Sequence, residues 1–108
     1  MLKKYDIQFI SAPSILGLKL SGVQHLPDAL LACGLAERLR IYHPVINVPQ
    51  LNHLYSEVRD AETLCLNPEA LKDFSQGLVK VISAAVEENR FAFTLGGDCS
   101  ILLGIMPL

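Results

Sequence analysis

The chain has 108 residues, 51% of them hydrophobic and 19% charged, and its formal net charge is −2. These values indicate one small folded domain and exclude an intrinsically disordered chain. The sequence has no basic block for nucleic-acid binding, and no apolar stretch approaches the roughly 18 residues that span a bilayer, so we expect a cytoplasmic protein without nucleic-acid or membrane partners.

The N-terminal half predicts a strand, a helix and a second strand. Tyr5–Ser11 alternates apolar and polar residues and predicts the first strand. Pro27–Arg40 carries leucines at helical spacing and predicts a helix, in which close packing on a sheet explains why Gly34 is tolerated. Val45–Val48, an apolar run between prolines, predicts the second strand, and Gln50–Leu66 is a long polar connection.

The C-terminal half predicts a long helix and a third strand. Asn67 is expected to cap a helix over Pro68–Asn89, and Phe91–Leu95 predicts the third strand. The alternation of strands and helices indicates an α/β domain with a parallel sheet and right-handed crossovers. One apolar stripe of the long helix is expected to face the sheet: Leu71, Phe74, Leu78, Val81, Ile82 and Ala85.

The cysteines and histidines are scattered along the chain. An odd number of cysteines without close pairing does not predict a disulfide framework, and no spacing indicates a self-contained zinc site. Loop or surface positions are the default expectation for the histidines. These residues are Cys33, Cys65 and Cys99, and His25, His43 and His53.

The candidate site follows the third strand, where two glycines precede an acid, a thiol and a hydroxyl: Gly96, Gly97, Asp98, Cys99 and Ser100. Ligands bind at the carboxyl ends of strands in open parallel sheets. The glycines are expected to permit a positive φ or a close backbone approach. Asp98 is expected either to orient a metal ligand or, as we favour, to accept backbone N–H groups in the turn.

Cys99 and Ser100 also have alternative roles. Cys99 at a helix start is either a thiolate ligand of a metal or a small buried thiol, and Ser100 is expected to cap that helix. The helix has no room to finish before Pro107, so we expect that the chain is cut short or that a partner covers this end. A homo-oligomer is compatible with that expectation.

The segment Leu95-Gly96-Gly97-Asp98-x-Ser100 resembles the Gly-Gly-Asp-His-Ser motif of the arginase/agmatinase (ureohydrolase) family. Weaker similarity extends over the loop that begins at Ala12-Pro13-Ser14, over the predicted helix from Pro27, and from Asn67 onward. The resemblance implies a three-layer arginase-like α/β fold, with helices on both faces of a parallel sheet. Residues 1–108 would be the N-terminal portion of one such domain.

The resemblance also implies a chemistry. The family hydrolyses amidino or guanidino carbon–nitrogen bonds of small molecules with two manganese ions, and Cys99 takes the position of a histidine ligand. Manganese prefers carboxylate and imidazole ligands over a thiolate. The family's Asp-x-His-x-Asp and Asp-x-Asp motifs do not occur in this sequence. Asn52, His53 and Tyr55, in the long connection, are candidates for a substrate-contacting loop.

Three functions therefore remain open. The first is an arginase-family hydrolase represented by its N-terminal part, which alone would be inactive. The second is a non-catalytic domain of that fold that has lost the metal site, as Cys99 would favour. The third is a small α/β module that holds an anion at the helix N-terminus near Ser100.

Overall fold

The computed structural model describes residues 6–17, 21–41, 43–49 and 55–105, in which three parallel strands form one sheet. The strands are β1 (Ile7–Ala12), β2 (Ile46–Asn47) and β3 (Phe91–Gly96), and their order is β2-β1-β3. Six residue pairs join β1 to β3, from Ile7 opposite Phe91 to Ala12 opposite Gly96. The predicted parallel sheet is confirmed.

Strand β1 lies in the middle of the sheet and is buried on both faces. Gln8, Phe9, Ile10, Ser11 and Ala12 are each at most 1% exposed. The alternation of polar and apolar residues in the sequence therefore does not mark a solvent-facing side, because a central strand of a parallel sheet is covered on both sides. The strand extends one residue beyond the predicted end, and the predicted start at position 5 lies outside the described residues.

Helices lie on both faces because the two crossovers run in opposite directions. The chain steps from β1 to β2 on one side, and then passes back over β1 to reach β3 on the other. Right-handed crossovers in opposite directions place their helices on opposite faces. On one face, Ile10 and Ala12 pack with Phe74 and Leu78 of the long helix, whereas on the other Phe9 meets Phe93 edge-on with ring centroids 5.1 Å apart.

The single helix predicted over residues 27–40 is wrong. The structure has two short helices, α1 (Leu26–Ala32) and α2 (Leu35–Arg38), which are separated at Gly34. Gly34 has a φ of 90°, a left-handed conformation that interrupts a right-handed helix and that glycine adopts without steric cost. The glycine is therefore a helix boundary and not a packing site within a helix.

The long helix α3 (Pro68–Glu87) covers the sheet with the predicted stripe. Phe74, Leu78 and Ala85 are buried, and Val81 and Ile82 pack around the same core. Within the described part of the chain, no helix combines the length and the apolar character that crossing a membrane requires. A short helix, α4 (Leu102–Ile105), follows β3 and packs on α3.

Asn67 precedes α3 as predicted, but its side chain does not cap the helix. Its backbone is left-handed, with φ 49° and ψ 52°, and it makes no side-chain bond to the first turn of α3. A capping residue normally has extended backbone that aims its side chain at the helix N–H groups. The left-handed backbone of Asn67 is thus inconsistent with a capping side chain.

The amino ends of the strands are joined by a buried polar contact. The Gln8 amide donates to the Pro44 carbonyl at 2.8 Å, and its oxygen accepts from Arg90 Nη1 at 2.9 Å. Nearby, His43 pairs with Asp6 at the protein surface. This end of the sheet is opposite to the one that holds the candidate site, so His43 does not contribute to that site.

Candidate functional site

Two loops meet at the carboxyl edge of the sheet. We name residues 13–17, which leave β1, the β1 loop, and residues 96–100, which end β3, the Gly-Gly-Asp turn. Ala12 and Gly96 are register partners, so both segments start at the same level of the sheet. The parallel arrangement of two neighbouring strands therefore brings together residues that lie 81 to 86 positions apart in sequence.

Gly97 allows the two loops to touch through their backbones. An added Cβ at this position would overlap the backbone N and O of Ser14. The Asp98 N–H donates to the Ser14 carbonyl at 2.9 Å across the same contact. The sequence predicts either a positive φ or a close backbone approach for these glycines. Neither Gly96 nor Gly97 has a positive φ, so the structure shows the close approach. At Gly96 an added Cβ would meet the Ile101 side chain.

Asp98 joins the Gly-Gly-Asp turn to the β1 loop. The residue is 4% exposed, and its Oδ2 accepts the Gly17 N–H at 2.7 Å while its Oδ1 accepts the Ser100 hydroxyl at 2.7 Å. Ser14 Oγ lies 3.4 Å from Ser100 Oγ and completes the contact. The expected backbone donor is present, but it comes from the β1 loop and not from the turn itself, because the loop lies against the carboxylate.

Cys99 and Ser100 are not placed as the helix-start interpretation requires. Cys99 is exposed, so it is not a small buried thiol. It begins a single 3₁₀ turn, Cys99–Ile101, which leads into α4. Asp98 occupies the cap position of that turn, and the Ser100 hydroxyl is directed to the Asp98 carboxylate. The prediction of Ser100 as the cap is therefore wrong by two residues.

The described residues do not assemble a metal site by themselves. They contain no group of three or more histidine, cysteine, aspartate or glutamate side chains placed to share an ion. Both carboxylate oxygens of Asp98 are occupied by donors, and Cys99 offers a soft thiolate to a hard ion. The substrate-loop candidates Asn52 and His53 lie outside the described residues.

Asn67 belongs to the same edge, which the sequence did not indicate, and its bonds reach the long connection just after Tyr55. Asn67 Nδ2 donates to the carbonyls of Leu16 at 3.0 Å and Ser56 at 3.1 Å, and its Oδ1 accepts the Ser56 N–H at 2.8 Å. Partial burial, together with the negative charges of Glu57 and Asp98, raises the pKa of Tyr55 above its ordinary value.

The β1 loop was not predicted as part of the candidate site, although the predicted topology is sufficient to place it there. In a parallel sheet the exit of β1 must lie at the same edge as the exit of β3, so Ser14 and Gly17 had a topological signal. Asn67 had none, since an Asn-Pro pair before an apolar stripe predicts an ordinary helix cap. Its actual partners are set by tertiary contacts.

Comparison with known proteins finds arginases among the proteins similar to this chain. No family model matches the chain. An arginase of Staphylococcus aureus (strain MSSA476) is 34% identical over 115 residues, which cover 96% of this chain and 36% of that arginase. The chain is related to arginases. It fits their N-terminal portion, and it spans about a third of the length of the curated relatives it matches.

Solved arginase structures share the fold of this arginase-related chain. The arginase of Bacillus subtilis superposes with a TM-score of 0.73 at 27% identity, over 94% of this chain and 32% of that protein. The arginase of Entamoeba histolytica, solved in complex with L-ornithine, superposes with a TM-score of 0.75 over 95% of this chain and 34% of that protein. At 20% identity the latter supports the fold alone. The three-layer arginase-like fold expected from the sequence is confirmed.

Proposed function

We propose that the chain forms one edge of the active site of an arginase-type hydrolase, which cleaves a carbon–nitrogen bond of an amidino or guanidino substrate. The observation that carries the proposal is the convergence of the β1 loop and the Gly-Gly-Asp turn at the carboxyl edge of an arginase-like sheet. Open parallel sheets bind ligands at this edge. A small-molecule substrate and a cytoplasmic location belong to the same proposal, and a homo-oligomer is compatible with it.

Manganese is the cofactor that the family resemblance implies, and its chemistry would be to lower the pKa of a bound water. The described residues do not fit a complete manganese site, so further ligands must come from elsewhere. Within this chain, Asp98 holds the turn that carries position 99, through Gly17 and Ser100. Position 99 is the one place at this edge where the motif resemblance puts a ligand.

A non-catalytic arginase-like domain is the second candidate function. The exposed Cys99 favours it, because a thiolate suits zinc or iron better than manganese. The anion-binding module has less support. The buried carboxylate of Asp98 precedes the 3₁₀ turn, so a second negative charge would be repelled there, and α4 is only four residues long.

Manganese titration of three versions of the protein tests the proposal. We expect Cys99→His to bind manganese more tightly than the parent by at least about tenfold, and Cys99→Ala to bind it more weakly. Cys33→His is the matched control, because Cys33 is also exposed but lies at the end of α1. Equal manganese affinity in all versions would show that residue 99 does not take part in manganese binding by this chain, and would favour the non-catalytic function.

A further inference from the structure

Asn67 has an unusual backbone for its position. Its left-handed conformation, with φ 49°, is sparsely populated by residues other than glycine, although asparagine tolerates it better than most. Such conformations persist when surrounding contacts hold the residue in place. Asn67 is 8% exposed, and its side-chain bonds go to two loops and none to its own helix.

One peptide group connects Asn67 to Asp98. The Leu16 carbonyl, which accepts from Asn67 Nδ2 at 3.0 Å, and the Gly17 N–H, which donates to Asp98 Oδ2 at 2.7 Å, belong to the same peptide bond. That bond is planar, so its carbonyl and its N–H cannot rotate independently. The Asn67 amide and the Asp98 carboxylate therefore fix the orientation of this peptide from opposite sides.

A second pair of hydrogen bonds joins the long connection to the Asn67 side chain. Asn67 Oδ1 and Nδ2 bind both the N–H and the carbonyl of Ser56. This pairing anchors the residue after Tyr55 to the start of the long helix. The Asn67 side chain thus holds the β1 loop at Leu16 and the long connection at Ser56, and it acts on the Gly-Gly-Asp turn through Gly17.

We propose that Asn67 is a positioning residue for the site: it orients the Leu16–Gly17 peptide so that the peptide N–H holds the Asp98 carboxylate beside position 99. The inference deepens the proposed function, since it concerns the edge assigned there to the active site. It differs from a role in starting α3, because the side chain makes no bond to that helix.

Two substitutions separate the side chain of Asn67 from its backbone. Asn67→Gly keeps the left-handed conformation at no steric cost and deletes all three side-chain bonds. Asn67→Asp keeps an acceptor for the Ser56 N–H and loses the donor to Leu16. Asn89→Gly is the matched control, since Asn89 is an exposed asparagine with a φ of 60° just beyond the opposite end of α3.

Amide hydrogen exchange of the full chain reads the result residue by residue. We expect the Gly17 N–H to exchange about tenfold faster in both Asn67 variants, as loss of an orienting hydrogen bond predicts. The Ser56 N–H should exchange faster in Asn67→Gly and keep its protection in Asn67→Asp. Asn89→Gly should change neither amide.

A purely structural role of Asn67 gives a different pattern. It predicts faster exchange throughout β1 and β3, or faster exchange at Ser56 alone, and either result would overturn the proposal. Unchanged exchange at Gly17 in both Asn67 variants would also overturn it. The measurement needs no metal, so its failure would leave the manganese titration at position 99 unaffected, and failure of that titration would leave this result standing.

Discussion

Replacing Gly97 with alanine drives a methyl group into the backbone of the β1 loop. The new Cβ would overlap the N and O atoms of Ser14 and would lie 3.0 Å from the Ala12 carbonyl oxygen. All three are backbone atoms at the end of the central strand, so rotation of a side chain cannot relieve the overlap. The loop and the turn must separate, which breaks the 2.9 Å bond from the Asp98 N–H to the Ser14 carbonyl.

The cost of Gly97→Ala follows from these contacts. Overpacking of this kind costs about 1–3 kcal/mol, and loss of one backbone hydrogen bond adds about 1 kcal/mol. We therefore expect the free energy of unfolding to fall by about 3 kcal/mol. For a domain of this size that corresponds to a decrease in Tm of about 12–24 °C.

Urea unfolding followed by circular dichroism measures the effect, with Gly77→Ala as the matched control. Gly77 lies inside α3, and a Cβ there would meet Val48 Cγ1 at an ordinary 3.6 Å. Alanine is the better helix former, so the control should raise stability by about 0.5–1 kcal/mol. The reasoning is refuted if Gly97→Ala stays within about 0.5 kcal/mol of the parent, because the close approach of the two loops would then not exist.

Further predictions concern the opposite edge, a surface turn and the isolated chain. Gln8→Met removes the donor to the Pro44 carbonyl and should lower the free energy of unfolding, measured by urea titration, by about 1–3 kcal/mol. Gln76 is exposed, so Gln76→Met should change the free energy of unfolding little. Equal effects of the two substitutions would contradict the buried contact of Gln8. The hydrogen bond from the Thr63 N–H lowers the pKa of Asp60 below its ordinary value of 3.8. The Asp60 carboxylate therefore stabilises the fold at pH values above 3.8, and this contribution is lost as the pH falls through the lowered pKa. Acid titration of stability should therefore be shallower for Asp60→Asn, and an unchanged acid limb would argue against the turn. The purified 108-residue chain should release no urea from arginine or agmatine, and manganese-dependent urea release would show that it holds a complete site.

The sheet was predictable from the sequence because its signals are local. Apolar runs bounded by prolines, glycines and polar residues indicate each strand, and the stripe of α3 has one period throughout. The topology then limits which ends meet. The position of Asp98 at the carboxyl edge was predictable from the strands and the topology, and the residue is buried there.

The errors arose where a tertiary contact or a single glycine decides the conformation. Helix propensity alone allows a glycine such as Gly34 inside a helix. In the structure its backbone is left-handed, so α1 ends before it and α2 begins after it. Ser100 has the composition of a cap, but Asp98 lies closer to the start of the turn and binds the Ser100 hydroxyl. Asn67 was assigned to its own helix, whereas its partners are 51 and 11 residues away in sequence.

Grafting this chain onto the remaining two thirds of a complete arginase tests the central claim most directly. The superposition over 94% of the chain defines the junction. If the chain forms one edge of an arginase-type active site, the graft with Cys99→His should bind manganese and release urea from arginine, and the Cys99 and Cys99→Ala grafts should bind manganese more weakly in that order. A folded graft whose manganese affinity and urea release do not depend on residue 99 would contradict the claim.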